Sequence, residues 1–418
     1  MRVWVLTVGE PLPVDGPNER LFRSGLLVEE LARRGHEATF FSSAFDHMRK
    51  TFRSDSTRTV KISSPAEYDL VLLKGLGYEK NVSIQRMKDH RMVASEFARV
   101  ASGLPKPDVI LCSIPIVELA TEALKLGVPT ALDCRDMWPD ILADTLPGPA
   151  RWLARSALGG LFRETTHAFK SATAILGHTR PFVEWGLQYA GRPAGELDLD
   201  FPFAYSSEQS SPTEMADASQ FWDSLGITQN PTVTRFAFFG TLGRQFRINE
   251  LVQTLVEMPS DSLTGLQFII CGEGDSRAEW VELSKKLPPG TILFPGWVDR
   301  PKIQALMSRS TLGLAPYVRE DMFAKSIPNK VVEYLSGGLP LAWGLDEGIV
   351  SDLIRERSIG FCWSSIESLI ESAKQCTPAN RAAWASNATA LFEERFVASA
   401  VYGAMADHLE RIARSGQA

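Results

Sequence analysis

The 418-residue chain has no uninterrupted apolar run of 18 residues, which disfavours a bilayer-spanning helix. It also has no C-x-x-C pair. Its five cysteines are scattered, and Cys112, Cys134, Cys271 and Cys362 lie in apolar strand-like runs, whereas Cys376 does not. That pattern suits buried thiols in a reducing compartment and disfavours a zinc or redox site. Positive charge is not in excess, since 44 Lys and Arg face 50 Asp and Glu. The resulting net charge of −6 argues against a general nucleic-acid binder. No G-x-G-x-x-G follows the first strand and no acidic residue ends the second, so a dinucleotide-dependent dehydrogenase is disfavoured. The opening RVWVLTVG runs directly into a polar, proline-rich loop and reads as a strand, not a signal peptide.

What is present is a regular alternation of short apolar runs with amphipathic stretches, the pattern of βα units on parallel sheets. In the first half the strand candidates are RVWVLTVG, EATFFSS, DLVLLKG, DVILCSI, PTALDC and TAILGHT. In the second they are RFAFFGT, LQFIICGEG, TILFPGW, TLGLAPY, LPLAW and IGFCW. The expected fold is α/β, with two doubly wound Rossmann-like domains at residues 1–205 and 233–395. The Ser-, Pro- and Thr-rich composition from residue 204 onward marks 206–232 as a linker. Residues 396–418 form a C-terminal helix that is a candidate to return to the first domain.

Doubly wound sheets bind ligands beyond the carboxyl ends of their strands, so the loops there carry the chemistry. In SIPNKVVEYLSGGLP, residues 326–340, Pro328 suits the start of a helix that Gly337 and Gly338 stop. Lys330 then lies in the first turn, where the helix dipole disfavours a cation unless an anion is bound there. The bland alternative is a surface pair with Glu333. After FFGT, the turn between Gly240 and Gly243 leads to Arg244 and Arg247, whose guanidiniums suit a diphosphate. Gly272, Glu273 and Gly274, and then Gly296, Trp297 and Val298, follow neighbouring strands and can read the edge and face of a flat base. Each is otherwise a plain turn.

In the first half, Gly16 allows a close backbone approach in the loop after the first strand, or belongs to a rigid surface loop. Arg135 and Asp136 follow the strand PTALDC, where the carboxylate can accept a proton or orient a sugar hydroxyl. Asp136 is also a candidate N-cap. Asp198 and Asp200 are expected to be solvated rather than metal ligands. Residues 151–170 have the pattern of a basic amphipathic helix, either packed on the first sheet or in contact with an anionic membrane surface.

Taken in order, GEPLPVDGPNERLFRSG, GHEATFFSSAFDH, CRDMWPD, FFGTLGR, CGEGD, FPGWV and SIPNKVVEYLSGGLP resemble the family-four retaining glycosyltransferases of the GT-B fold, nearest to bacterial enzymes of cell-surface polysaccharide (including lipopolysaccharide) assembly. The resemblance spans residues 1 to about 400. It implies two Rossmann-like domains facing across a cleft, the first binding a glycan or lipid-linked acceptor and the second a nucleoside diphosphate sugar, in most such relatives UDP-linked. It implies a cytoplasmic enzyme at the inner face of the membrane, with no cofactor, metal or nucleic acid. Glu333 matches the family's ribose ligand. Lys330 and the amides around Ser326, Ile327, Pro328 and Asn329 match its diphosphate contacts, and Arg244 its phosphate-binding arginine, with Arg247 as companion. Gly296, Trp297 and Val298 match the base loop, and Gly16 the loop closing over the donor. Where the family often carries a further glutamate at the sugar, this chain has Lys325. The rival readings are a nucleotide-sugar 2-epimerase on the same fold and an inactive nucleotide-binding subunit.

Overall fold

The computed structural model describes residues 1–16, 19–81, 83–141 and 148–416. The chain divides into two compact units, Met1–Pro202 with Ala398–Ala418, and Phe203–Val397.

The first unit is built on a seven-stranded sheet whose spatial order is Arg58–Ile62, Tyr68–Leu73, Glu37–Ser43, Arg2–Leu6, Val109–Ile114, Thr130–Cys134 and Ala174–Gly177. Six strands run parallel, and Arg58–Ile62 joins the edge antiparallel to Tyr68–Leu73. Every expected strand of this half is present. Arg58–Ile62 and the short hairpin Phe45–Asp46 with Thr51–Phe52 are additions: the first is a mostly exposed edge strand and the hairpin strands have two residues each, so neither carries the apolar run that betrays a central strand. The helix Ala398–Ser415 packs on Arg23–Arg33 within this unit, and Arg34 pairs with Asp407 at 2.6 Å. Residues 151–170 are not one helix. They belong to Gly148–Ala157 and Gly159–Ser171, which break at Leu158, ahead of the paired glycines. The second of these buries Leu161 and Phe169, while Trp152 on the first is 72% exposed.

The second unit holds a six-stranded, wholly parallel sheet in the order Ile292–Gly296, Leu266–Cys271, Thr234–Phe239, Leu312–Ala315, Leu341–Trp343 and Gly360–Cys362. The winding direction reverses between Thr234–Phe239 and Leu312–Ala315, which makes that point the expected ligand crevice of this unit. The stretch whose composition marks a linker instead contains the helix Pro212–Ser224. A reciprocal capping box between Ser211 and Glu214 starts it, and the buried Trp222 donates its indole N–H to the Lys302 carbonyl at 2.8 Å. Composition misled there because a Ser–Pro start is a helix-start signal as much as a linker signal. Among the described residues no helix is long and apolar enough to cross a membrane.

Candidate functional site

In the second unit, three glycines end three neighbouring strands and are joined edge to edge. The Gly240 amide donates to the Cys271 carbonyl at 3.1 Å, and the Gly272 amide donates to the Gly296 carbonyl at 2.8 Å. All three have positive φ, at 140°, 138° and 87°. A Cβ on Gly272 would collide with the Gly240 carbonyl, and one on Gly274 with that of Leu242. The result is a shallow floor of bare backbone. Gly272→Ala is expected to cost about 1–3 kcal/mol and to distort this floor, a change that calorimetric unfolding of the full chain detects.

Lys330 lies over that floor. The helix Asn329–Ser336 starts at Pro328, which is its N-cap, and Tyr334 pins it under the sheet by donating to the carbonyls of Ala237 and Leu314 at 3.0 and 2.8 Å. The Lys330 ammonium donates to the Phe239 carbonyl, sits 3.9 Å from the Phe238 ring centre, and borders Gly240, where a Cβ would lie 2.9 Å from it. A surface pair with Glu333 is excluded, since Lys330 is 7% exposed and Glu333 3%. The helix start, the ammonium and the glycine floor therefore meet at the winding reversal of the sheet.

The other residues divide. Arg244 is exposed, with no hydrogen bond or ion pair among the described residues, beside Gly243. Arg247 is committed elsewhere: it pairs with Glu250 at 2.5 Å and stacks 4.8 Å from the Trp363 ring, so it is no companion to Arg244 in this conformation. Trp297 is 69% exposed and free to cover a flat ring, whereas Val298 is buried. Ser326 and Ile327 are buried, the Ser326 amide is taken by the Phe323 carbonyl, and Pro328 has no amide hydrogen. Of that segment, the amides of Asn329 and Lys330 in the first turn are the ones a helix leaves for an anion. Lys325 pairs with Asp321 at 2.5 Å. Gly16 has ordinary φ, and a Cβ there would meet only the Glu19 carboxylate at 3.9 Å, so nothing in its backbone requires glycine.

In the first unit, Arg135 and Asp136 take different roles. Arg135 is locked into a buried network: it pairs with Glu10, reaches Asp133 at 2.9 Å and the Ser24 hydroxyl at 2.7 Å. Asp133 also receives both arms of the fully buried Arg23, at 2.8 and 2.9 Å, and Arg23 donates in turn to the Phe201 carbonyl at 2.6 Å. Arg135 therefore positions the loop, with all three guanidinium nitrogens engaged. Asp136 is different. Its Oδ1 is buried with no hydrogen-bond partner among the described residues, and burial pushes its carboxyl up to about 6. The helical backbone resumes only at Asp140, so Asp136 is not its N-cap. Asp198 is not solvated either. It is buried, accepts from the Ile175 and Gly195 amides at 2.8 and 2.7 Å, and holds Arg192 at 2.5 Å.

The sequence reading missed a cluster beside Asp136. Arg86 stacks 5.4 Å from the Trp138 ring and 5.5 Å from the Tyr78 ring, Lys50 lies 4.6 Å over the same Tyr78 ring, and His47 meets the Tyr78 hydroxyl at 2.6 Å. His90 accepts from Arg86 Nε at 3.2 Å. Burial pushes His47 down to about 4 and His90 to about 3, so both are neutral at pH 7. His47 stands in the motif GHEATFFSSAFDH, which was the one available signal.

These two arrangements sit on the fold that the comparisons identify. Residues 234–376, all in the second unit, match the family model described as glycosyl transferases group 1. No curated protein matches the chain. Among solved structures, HepE of Anabaena in complex with UDP and glucose is 16% identical with a TM-score of 0.65, covering 98% of this chain and 100% of that one. Sucrose-phosphate synthase of Thermosynechococcus elongatus is 14% identical with a TM-score of 0.69, covering 99% of each chain. The UDP-forming α,α-trehalose-phosphate synthase of Burkholderia xenovorans is 13% identical with a TM-score of 0.66, covering 99% of each. The fold is the GT-B fold of two Rossmann-like domains with C-terminal helices.

Proposed function

We propose that the chain transfers a glycosyl group, with retention and without a metal ion, from a nucleoside diphosphate sugar to a glycan or lipid-linked acceptor in cell-surface polysaccharide assembly. The observation that carries this reading is the convergence of Lys330, the first turn of its helix and the floor of Gly240, Gly272 and Gly296 at the winding reversal of the second sheet. That segment is the one matching the glycosyl transferases group 1 model, and HepE was solved with UDP-glucose, which makes uridine the first base to test.

In the proposed reaction the bond from the anomeric carbon to the β-phosphate oxygen breaks and a bond to the acceptor oxygen forms on the same face. The acceptor proton passes to the departing phosphate. Lys330, Arg244 and the helix amides stabilise the charge growing on that phosphate. Glu333 holds the ribose and Trp297 covers the base. Asp136 accepts the acceptor hydroxyl's hydrogen bond and orients it, while Arg135 fixes the loop that carries Asp136. A cytoplasmic location, with Trp152 meeting the inner face of the membrane, fits an acceptor carried on lipid.

A thermal-shift screen of nucleotides and nucleotide sugars tests the donor, because a ligand that binds the folded state alone raises the midpoint with the logarithm of its concentration. Arg244→Ala is expected to lower kcat by about 10²-fold, the scale of losing one transition-state donor, whereas Arg247→Ala leaves donor binding within about twofold. Equal effects in both variants would reject this division. An epimerase would convert the nucleotide sugar with no acceptor present, and product analysis with and without acceptor separates the two.

A further inference from the structure

The first unit holds two cations that the reaction described so far does not use. Lys50 and Arg86 both lie against the Tyr78 ring and share Asn81: the ammonium donates to its side-chain oxygen at 2.6 Å and the guanidinium to its carbonyl at 2.7 Å. Neither forms an ion pair among the described residues. The neighbouring carboxylates are otherwise engaged or held apart. Asp46 serves Arg49 and Arg53 at 3.2 and 3.6 Å, Asp89 accepts the Leu76 and Gly77 amides at 2.7 and 2.8 Å, and Asp136 touches Arg86 only through its field.

The donor count is specific. Arg86 uses Nε on His90 and Nη1 on Asn81, which leaves Nη2, and Lys50 uses one of three ammonium hydrogens. Lys50 also has a φ of 56°, in the left-handed region that a lysine rarely occupies, and its amide donates to the Asp46 carbonyl at 2.9 Å. The hairpin thus holds this side chain beside Arg86 against like-charge repulsion. That repulsion and burial together lower the Lys50 ammonium from its usual value, with burial the larger cause, and a bound anion would relieve both. His47 and His90, neutral, add no charge and serve to fix Tyr78 and Arg86.

We propose that Lys50 and Arg86 form the subsite for a phosphoryl group on the acceptor, placed beside Trp138 so that the acceptor's hydroxyl reaches Asp136. This rests on the glycosyl transfer reading and narrows its acceptor to a phosphorylated one. The shared chemistry is a phosphate ester or diphosphate, carried either by a soluble sugar phosphate or by an isoprenyl diphosphate sugar.

Calorimetric titration of the full chain tests it, after saturation with UDP so that the donor site is closed to phosphate. The probes are glucose 6-phosphate, glucose, and a short-chain isoprenyl diphosphate glucose in detergent. One phosphorylated probe is expected to bind, and which one does identifies the carrier. Lys50→Ala and Arg86→Ala are each expected to weaken it roughly tenfold or more, with Arg86→Lys between, and UDP binding unchanged in all three. Lys50 lies at the surface of its hairpin, so Lys50→Ala keeps the test valid if Arg86→Ala fails to fold. Binding of UDP with no phosphorylated probe bound, or glucose binding as tightly as its phosphate, overturns the subsite and leaves the donor reading standing. Failure of UDP itself to bind overturns both.

Discussion

Replacing Asp133 by alanine is expected to lower the unfolding midpoint of the first unit by about 10 °C. Asp133 accepts both arms of Arg23 and one of Arg135, and Glu10 supplies the second negative charge, so two cations balance two carboxylates inside the fold. Removing one carboxylate leaves a guanidinium uncompensated away from water, a change worth about 3–5 kcal/mol. For a unit of this size each kcal/mol moves the midpoint by about 2–4 °C. Differential scanning calorimetry gives the number directly. A useful control is Arg357→Ala, which breaks an exposed, solvent-screened pair with Glu394 and is expected to leave the unfolding midpoint nearly unchanged. Equal behaviour of the two variants would mean that the buried network does not hold the loop.

Asp136→Asn is expected to lower kcat by about 10²-fold, the scale of a misoriented acceptor, while leaving the fold intact. The wild-type profile carries the reason. Burial holds the Asp136 carboxyl up at about 6, so activity rises with pH as that proton is lost and levels off above it. The sign for stability is opposite. The folded chain keeps this proton more tightly than the unfolded chain, so stability falls as pH rises from the ordinary carboxylate value of 3.8 to about 6. Asparagine removes the charge that burial penalises, and the variant's unfolding midpoint at pH 7 is therefore expected to equal or exceed that of the wild type. A variant that retained activity with the limb near pH 6 still present would remove Asp136 from the reaction.

The central strands of both sheets were legible because strands buried on two faces read as unbroken apolar runs. Lys330 was legible because a cation in a first helical turn contradicts the dipole. The rest depended on contacts that no local pattern encodes. Arg135 reads as a ligand by its place after a strand, yet its partner Glu10 lies 125 residues earlier and only the folded chain brings them together. Arg247 beside Arg244 has the sequence pattern of a second phosphate ligand, yet in the folded chain it pairs with Glu250, one helical turn on. Asp-Leu-Asp is polar and reads as solvated, whereas a strand amide, a turn amide and Arg192 enclose Asp198. The Lys50 and Arg86 cluster joins a hairpin to a distant helix and left no periodicity to read.

Everything proposed for the second unit requires that the glycine floor and Lys330 bind a nucleoside diphosphate. Calorimetric titration of the full chain with UDP, GDP and ADP, beside the exposed-residue variant Arg244→Ala, tests it most directly. Saturable binding of one of them is expected, with UDP the first candidate, and a loss of about tenfold or more in Arg244→Ala at an unchanged unfolding midpoint. Absence of binding by all three nucleotides, in a chain that unfolds cooperatively, would contradict it.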